Sequence, residues 1–169
     1  MFDVELERPF LVTVGYVGVP GDRAFHLQAE DERERVTFAI EKVQAEGLSE
    51  LLGQLLVRMG SGPATDWDRS AMDLRAPFEP RWRVGAIAVG VDGASGRFAL
   101  ELSELAAEDE RPEREARIGL DLDQARRLAA HAAEVVGEGR ARCELCGRPI
   151  EPDGSHVCPS TNGHGRLTV

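Results

Sequence analysis

The sequence predicts an α+β protein made of two βββα units in tandem, each an antiparallel sheet covered by one helix, with a cysteine-bearing tail behind them. Three observations carry this. First, residues 117–136, R-I-G-L-D-L-D-Q-A-R-R-L-A-A-H-A-A-E-V-V, read as a short strand running into an amphipathic helix, and residues 37–56 repeat the pattern eighty positions earlier without a gap. Phe38 answers Ile118, Ile40 answers Leu120, Ala45 answers Ala125 and Leu48 answers Leu128. Second, the strand ending V-G-V-P-G at 17–21 recurs as V-G-V-D-G at 89–93. Third, Phe25, Leu27 and Ala29 alternate with polar or small residues as Phe98, Leu100 and Leu102 do, the period of a half-buried strand.

The elements follow in chain order. Residues 9–20, P-F-L-V-T-V-G-Y-V-G-V-P, form a first strand closed by a Pro-Gly-Asp turn. Residues 23–29 form a second, with Ala24, His26 and Gln28 on its polar face, and the charged tip D-E-R-E-R turns it into a third at 36–41. A helix over 43–59 then carries the stripe Leu48, Leu51, Leu52, Leu55, Leu56 and Met59 at i, i+3, i+4 spacing. Gly47 and Gly53 inside it each cost up to ~1 kcal/mol against alanine, so burial of the stripe must hold the helix. Residues 61–80 have connector composition, but Trp67, Met72, Leu74 and Phe78 predict a segment that packs back on the body or docks a partner. The second unit runs over 81–138: strands at 83–92, at 97–102 and from Arg117, an acidic loop between the last two, and a helix with Asp123 as N-cap. Its stripe is Ala125, Leu128, Ala129, Ala132, Val135 and Val136, with His131 packed at its boundary. The expected division is therefore 1–60, a connector at 61–80, 81–138, and a tail at 139–169.

Composition bounds the function. The 169 residues are 42% hydrophobic, enough for a core, and the formal net charge of −10 disfavours nucleic-acid and anionic-lipid partners. Lys42 is the single lysine and every other basic residue is arginine, which leaves almost no Schiff-base chemistry. The N-terminal run M-F-D-V-E-L-E-R has no signal-peptide pattern, and no apolar run reaches the ~18 residues of a membrane span. With three cysteines, all from position 143 onward, a cytoplasmic protein with a local metal site fits better than a disulfide scaffold.

The tail holds the motif with definite chemistry. Cys143 and Cys146 make a C-x-x-C followed by glycine, and His156-x-Cys158 completes three thiolates and one imidazole, a tetrahedral set that suits structural Zn²⁺. His164 is a reserve ligand. So short a tail lacks a core of its own, and a metal would supply its folding energy, ~10–16 kcal/mol apparent in zinc-finger peptides. Four protein ligands leave no open position for a catalytic water. A redox C-x-x-C would sit beside a βαβ pattern, which this sequence lacks.

The runs R-A-F-H-L-Q-A, V-x-x-A-I-E-K and R-V-G-x-I-x-V-G, with the closing C-x-x-C-G-x-P-I-x-P-D-G-x-H-x-C-P-x-x-N-G-H, resemble the actinobacterial family called domain of unknown function 3090. The resemblance covers nearly the whole chain and is most specific in the tail. It implies that Cys143, Cys146, His156 and Cys158 act as a unit, with Ser155 an extra residue before the histidine. It implies no reaction, but it does imply company: a kinase-like and a histidine-phosphatase-like protein occur in the same genomes.

No catalytic constellation, phosphate loop or nucleophile elbow is present. The leading expectation is a zinc-binding adaptor or scaffold that recognises a protein partner, with Trp67, Arg83, Arg97 and Arg117 as candidate contact residues. Single-stranded nucleic-acid binding, by fold-level resemblance to PUR-alpha and Whirly proteins, is the alternative, resting on strand arginines that also include Arg23 and Arg35. A third is an enzyme with a site between the two units, collecting His26, Glu41 or Asp121. Oligomeric state is not encoded in any of these features.

Overall fold

The computed structural model describes residues 1–108, 110–138, 143–146 and 157–158. They form a mixed α+β structure with two helices and two sheets. In chain order the elements are β1 (Val4–Leu6), β2 (Leu11–Val19), β3 (Asp22–Glu30), β4 (Arg35–Ile40), α1 (Lys42–Arg58), a 3-10 turn (Ser70–Met72), β5 (Val84–Val91), β6 (Phe98–Glu104), β7 (Glu115–Leu120) and α2 (Leu122–Gly137). The chain divides into two compact units, 1–136 and 137–169.

Both predicted meanders form. One sheet has the order β2-β3-β4, and the other the order β1-β7-β6-β5. Alternation decides which side of each strand meets the core. Val14, Leu27 and Phe38 stand in one row of the first sheet, and Val89, Leu100 and Ile118 in one row of the second. All belong to or pack on a single apolar cluster. The helices close it with Ala45, Leu48, Leu52 and Leu56 from α1, and with Ala125, Leu128, Ala129, Ala132, Val135 and Val136 from α2. The predicted α2 stripe is buried throughout. That of α1 is narrower than expected, because Met59 is exposed and Leu51 only half-buried.

Strand β1 was not predicted. Three residues after an acidic start give too short a pattern, and the strand gains its partner from the far end of the unit, pairing in parallel with β7 so that Leu6 faces Ile118. Residues 81–83 do the same on the other sheet. The Arg81 N–H donates to the Thr37 carbonyl at 2.8 Å, the Ala39 N–H to the Trp82 carbonyl at 3.1 Å, and Ala39 and Arg83 form a parallel bridge. Each sheet thus receives a parallel segment from the stretch leading into the other sheet's first strand. Trp82 is buried there against Phe38, ring centroids 4.6 Å apart and tilted by 59°, a pairing worth about 0.5–1.5 kcal/mol beyond its area.

The helix starts are built alike. Glu41 and Gln44 form a reciprocal capping box on α1. On α2 the box uses Asp121 and Gln124, at 2.8 and 3.0 Å. The cap is therefore Asp121 and not Asp123, which lies inside the first turn, because a capping carboxylate must precede the helix to reach the N3 amide. Each glutamine also reaches the opposite half: Gln44 donates to the Val84 carbonyl at 3.1 Å and Gln124 to the Pro9 carbonyl at 2.7 Å. Ser49 of α1 donates to the Ala129 carbonyl of α2 at 2.7 Å.

The connector packs back, as expected, and it corrects the reading of β3. Phe25 through Ala29 are all buried, His26 and Gln28 of the supposed polar face included, and only Ala24 of that face is exposed. Leu74 sits over Gly15 so tightly that a Cβ there would lie 2.7 Å from the leucine Cγ. Gln28 grips the next residue, accepting from the Arg75 N–H at 2.9 Å and donating to its carbonyl at 2.8 Å. Thr13 donates to the Met72 carbonyl. Glu30 ties Arg35 and Arg75, and these guanidinium groups, Arg35 foremost, hold its carboxyl below the usual range.

The close approach of β1 to β7 sets a steric test. A Cβ on Gly119 would fall 2.2 Å from the Glu7 carbonyl oxygen. Gly119→Ala is expected to cost about 1–3 kcal/mol in urea unfolding, whereas Gly47→Ala, whose Cβ meets nothing within 4 Å, gains about 0.5–1 kcal/mol. Equal effects of the two would contradict the β1–β7 docking.

Candidate metal centre

Among the described residues, Cys143, Cys146 and Cys158 bring three sulfur atoms within 4.8 Å of one another. Cys143 and Cys158 are buried and Cys146 half-buried. The turn at 144–146 follows from the C-x-x-C spacing, and it aims backbone amides at a sulfur. The N–H groups of Cys146 and then Leu145 donate to the Cys143 thiol, holding its pKa below the ordinary value and favouring the thiolate that a metal requires.

The spacing of the sulfurs is informative. Those of Cys143 and Cys158 lie 3.8 Å apart. A disulfide would need about 2.05 Å. Two sulfurs each about 2.3 Å from one tetrahedral ion are separated by about 3.8 Å, a distance this pair meets and one that a thiol–thiol hydrogen bond also gives. Three soft donors suit a thiophilic ion, and the donor set can hold one. His156 and the reserve ligand His164 lie outside the described residues.

The other candidates are dispersed. Trp67 is half-buried in the connector with the Arg69 guanidinium 4.4 Å from its ring centroid, and Arg69 in turn pairs with Glu134 of α2. Arg83 pairs with Glu41 beside the α1 cap. Arg97 donates to the Glu7 carbonyl at 3.0 Å, and Arg117 stands 4.0 Å from Glu101. Of the four, Arg97 and Arg117 share a cleft of about 480 Å³ on the outer face of the β5–β6–β7 sheet. The sequence reading missed its floor, formed by Gly90, Ala99 and Gly119 in one register row. The available signal was small residues at the outward positions of three strands. His26, Glu41 and Asp121 have structural work: the first is buried in the β3 face that the connector covers, and the other two cap helices. Asp68 accepts from Ser70 and Ala71 and so closes the 3-10 turn, the role of a turn carboxylate and not of a cation ligand. His131 is buried on the core side of α2.

Known proteins add one match. The family model described as Protein of unknown function (DUF3090) aligns with residues 4–158, from β1 through the last cysteine of the cluster. The chain belongs to this family. No curated protein and no solved structure matches it. The matched span includes both the sheet–helix body and the three thiols, so family membership extends to the cysteine cluster. No helix among the described residues is long and apolar enough to cross a membrane.

Burial lowers the pKa of His26 from its ordinary 6.5, against a backbone hydrogen bond at Ala24 that raises it. The unfolded chain therefore takes up a proton that the folded one resists. Stability is full above the unfolded pKa and falls as pH drops below it, by at most about 1.4 kcal/mol per pH unit. Urea midpoints at about pH 7.5 and about pH 5.5 should differ more for the wild type than for His26→Gln; the same difference in both would show that His26 is not the group responsible.

Proposed function

We propose that the protein is a cytoplasmic zinc-binding adaptor: a duplicated sheet-and-helix body that presents surfaces to a protein partner, with a tail folded around a structural Zn²⁺ held by Cys143, Cys146, His156 and Cys158. The observation that carries the reading is the 3.8 Å separation of two sulfurs within a three-thiol cluster. Zinc is the natural occupant of three thiolates plus an imidazole, and a fourth protein ligand closes the site to water, making it structural. His156, two residues before Cys158, is assigned the fourth position, with His164 in reserve.

Duplication is supported by correspondences that coincidence would not produce at one offset. Glu41 and Gln44 match Asp121 and Gln124 at eighty positions, and Ser49 bonds the residue eighty positions on. The near-exclusive use of arginine among the basic residues fits an actinobacterial origin. A non-enzymatic role is favoured because His26, Glu41 and Asp121 are consumed in packing and capping. The partner class is a protein, the kinase-like or phosphatase-like protein of the same genomes being the first to test. Strand arginines 35, 83 and 117 each stand beside a glutamate, which favours a peptide over a phosphate backbone.

Elemental analysis of protein purified without added metal should give one zinc per chain, and Cys143→Ser with Cys158→Ser should abolish it. His156→Ala should weaken retention and His164→Ala leave it unchanged; the reverse order would move the fourth ligand to His164. A protein that folds metal-free with three reactive thiols would end the zinc reading. The adaptor reading is tested separately, by co-purification from the native host with the kinase-like and phosphatase-like proteins tagged, where absence of either in stoichiometric amount counts against it.

A further inference from the structure

The two sheets have matching outer faces in different states. On the first, the row Gly15–His26–Ala39 lies beside the row Thr13–Gln28–Thr37. On the second, the rows in the same strand order are Gly90–Ala99–Gly119 and Ala88–Glu101–Arg117. The first face carries an extended stretch of the chain itself: Leu74 rests on Gly15, and Gln28 brackets Arg75 by accepting from its backbone N–H and donating to its carbonyl.

The second face has the same two features and is open over Gly90, while the backbone of Glu7 closes the row over Gly119. A Cβ on Gly90 would meet nothing within 4 Å, where one on Gly15 would strike a leucine. Ala88 and Gly90 are exposed, and Ala99 and Gly119 half-exposed. The clamp is present in split form. Glu101 can only accept and Arg117 can only donate, and their 4.0 Å separation is too long for a hydrogen bond between them. Together they offer one acceptor and one donor for the backbone N–H and C=O of a single residue, as the Gln28 amide alone does for Arg75.

We infer that this outer face of the β5–β6–β7 sheet is a docking groove for an extended segment of a partner protein. The segment seats an aliphatic side chain over Gly90 and Ala99, beside the Glu7 backbone, and the N–H and C=O of its next residue lie against Glu101 and Arg117. The occupant is a peptide because the glycine–alanine floor carries no ring on which a base could stack, Phe98 of the lining being buried and Phe2 lying against the Arg117 guanidinium. The cleft is also lined by four carboxylates against three guanidinium groups, an unfavourable balance for a phosphate backbone or an anionic membrane. The inference rests on the adaptor reading in that the partner is a protein, and it names the surface and the chemistry used.

The test is a random-peptide phage library panned against the full-length, zinc-loaded protein, with affinities of the enriched peptides then measured on variants. Enriched peptides should share an aliphatic residue. Gly90→Leu, which fills the open floor, should weaken them at least tenfold, with zinc content and melting temperature unchanged. Glu101→Ala and Arg117→Ala should each weaken them, whereas Glu101→Gln, which keeps an acceptor at that position, should weaken them less. No enrichment, a consensus lacking an aliphatic residue, equal affinity for Gly90→Leu, or self-association lost in that variant would each overturn the proposal. A native partner that still co-purifies with Gly90→Leu would remove this groove and leave the adaptor reading standing.

Discussion

Two short parallel pairings at the sheet edges bind the body of this protein into one unit. β1 lies along β7, and residues 81–83 lie along β4. Each segment leads into the first strand of one sheet while bonding to the third strand of the other, so neither sheet is complete without chain from the opposite half. Parallel pairs are somewhat weaker per residue than antiparallel ones, and these are only about three residues long. Their strength comes from what is buried with them: Val4 and Leu6 on one side, and Trp82 against Phe38 on the other. The glutamine side chains of the two capping boxes reinforce the exchange by bonding backbone in the opposite half.

This exchange leaves two outer sheet faces, and the chain treats them differently. The connector covers one, burying Thr13, His26, Gln28 and Thr37, and its backbone satisfies Thr13 and Gln28, while Gln28 also donates to the Thr37 hydroxyl. A buried amide left without those bonds would cost about 1–3 kcal/mol, so the connector is held by the polar groups it must cover as much as by Leu74. The other face keeps its polar groups in water, where Glu101 and Arg117 carry no such penalty and their ion pair is worth about 0–1 kcal/mol. A charged clamp on an exposed face and an amide clamp on a covered one are each the cheaper choice for their setting.

Local pattern made most of this legible. Both helices, both meanders and the connector's return could be read from periodicity and composition, because each depends on residues near in sequence. The missed features depend on distant ones. β1 has three residues and a partner more than a hundred positions away. Trp82 stands just before the strand read at 83–92, and its burial comes from packing on Phe38 of β4. His26 and Gln28 alternate as a polar face should, and only the connector makes them interior. The cap of α2 was misplaced by two residues because Asp121 and Asp123 are both plausible caps by composition. In the tail, the C-x-x-C and the later cysteine were enough to foresee that three thiols converge, whereas His156 and His164 lie outside the described residues.

What occupies the three thiols decides whether the tail is built around a metal. X-ray absorption at the zinc edge, on the full-length protein as isolated, reads the ligand shell without disturbing it. Three sulfur scatterers at about 2.3 Å and one nitrogen at about 2.0–2.1 Å would match a closed structural site. A shell containing a water oxygen, or no zinc edge at all, would contradict it.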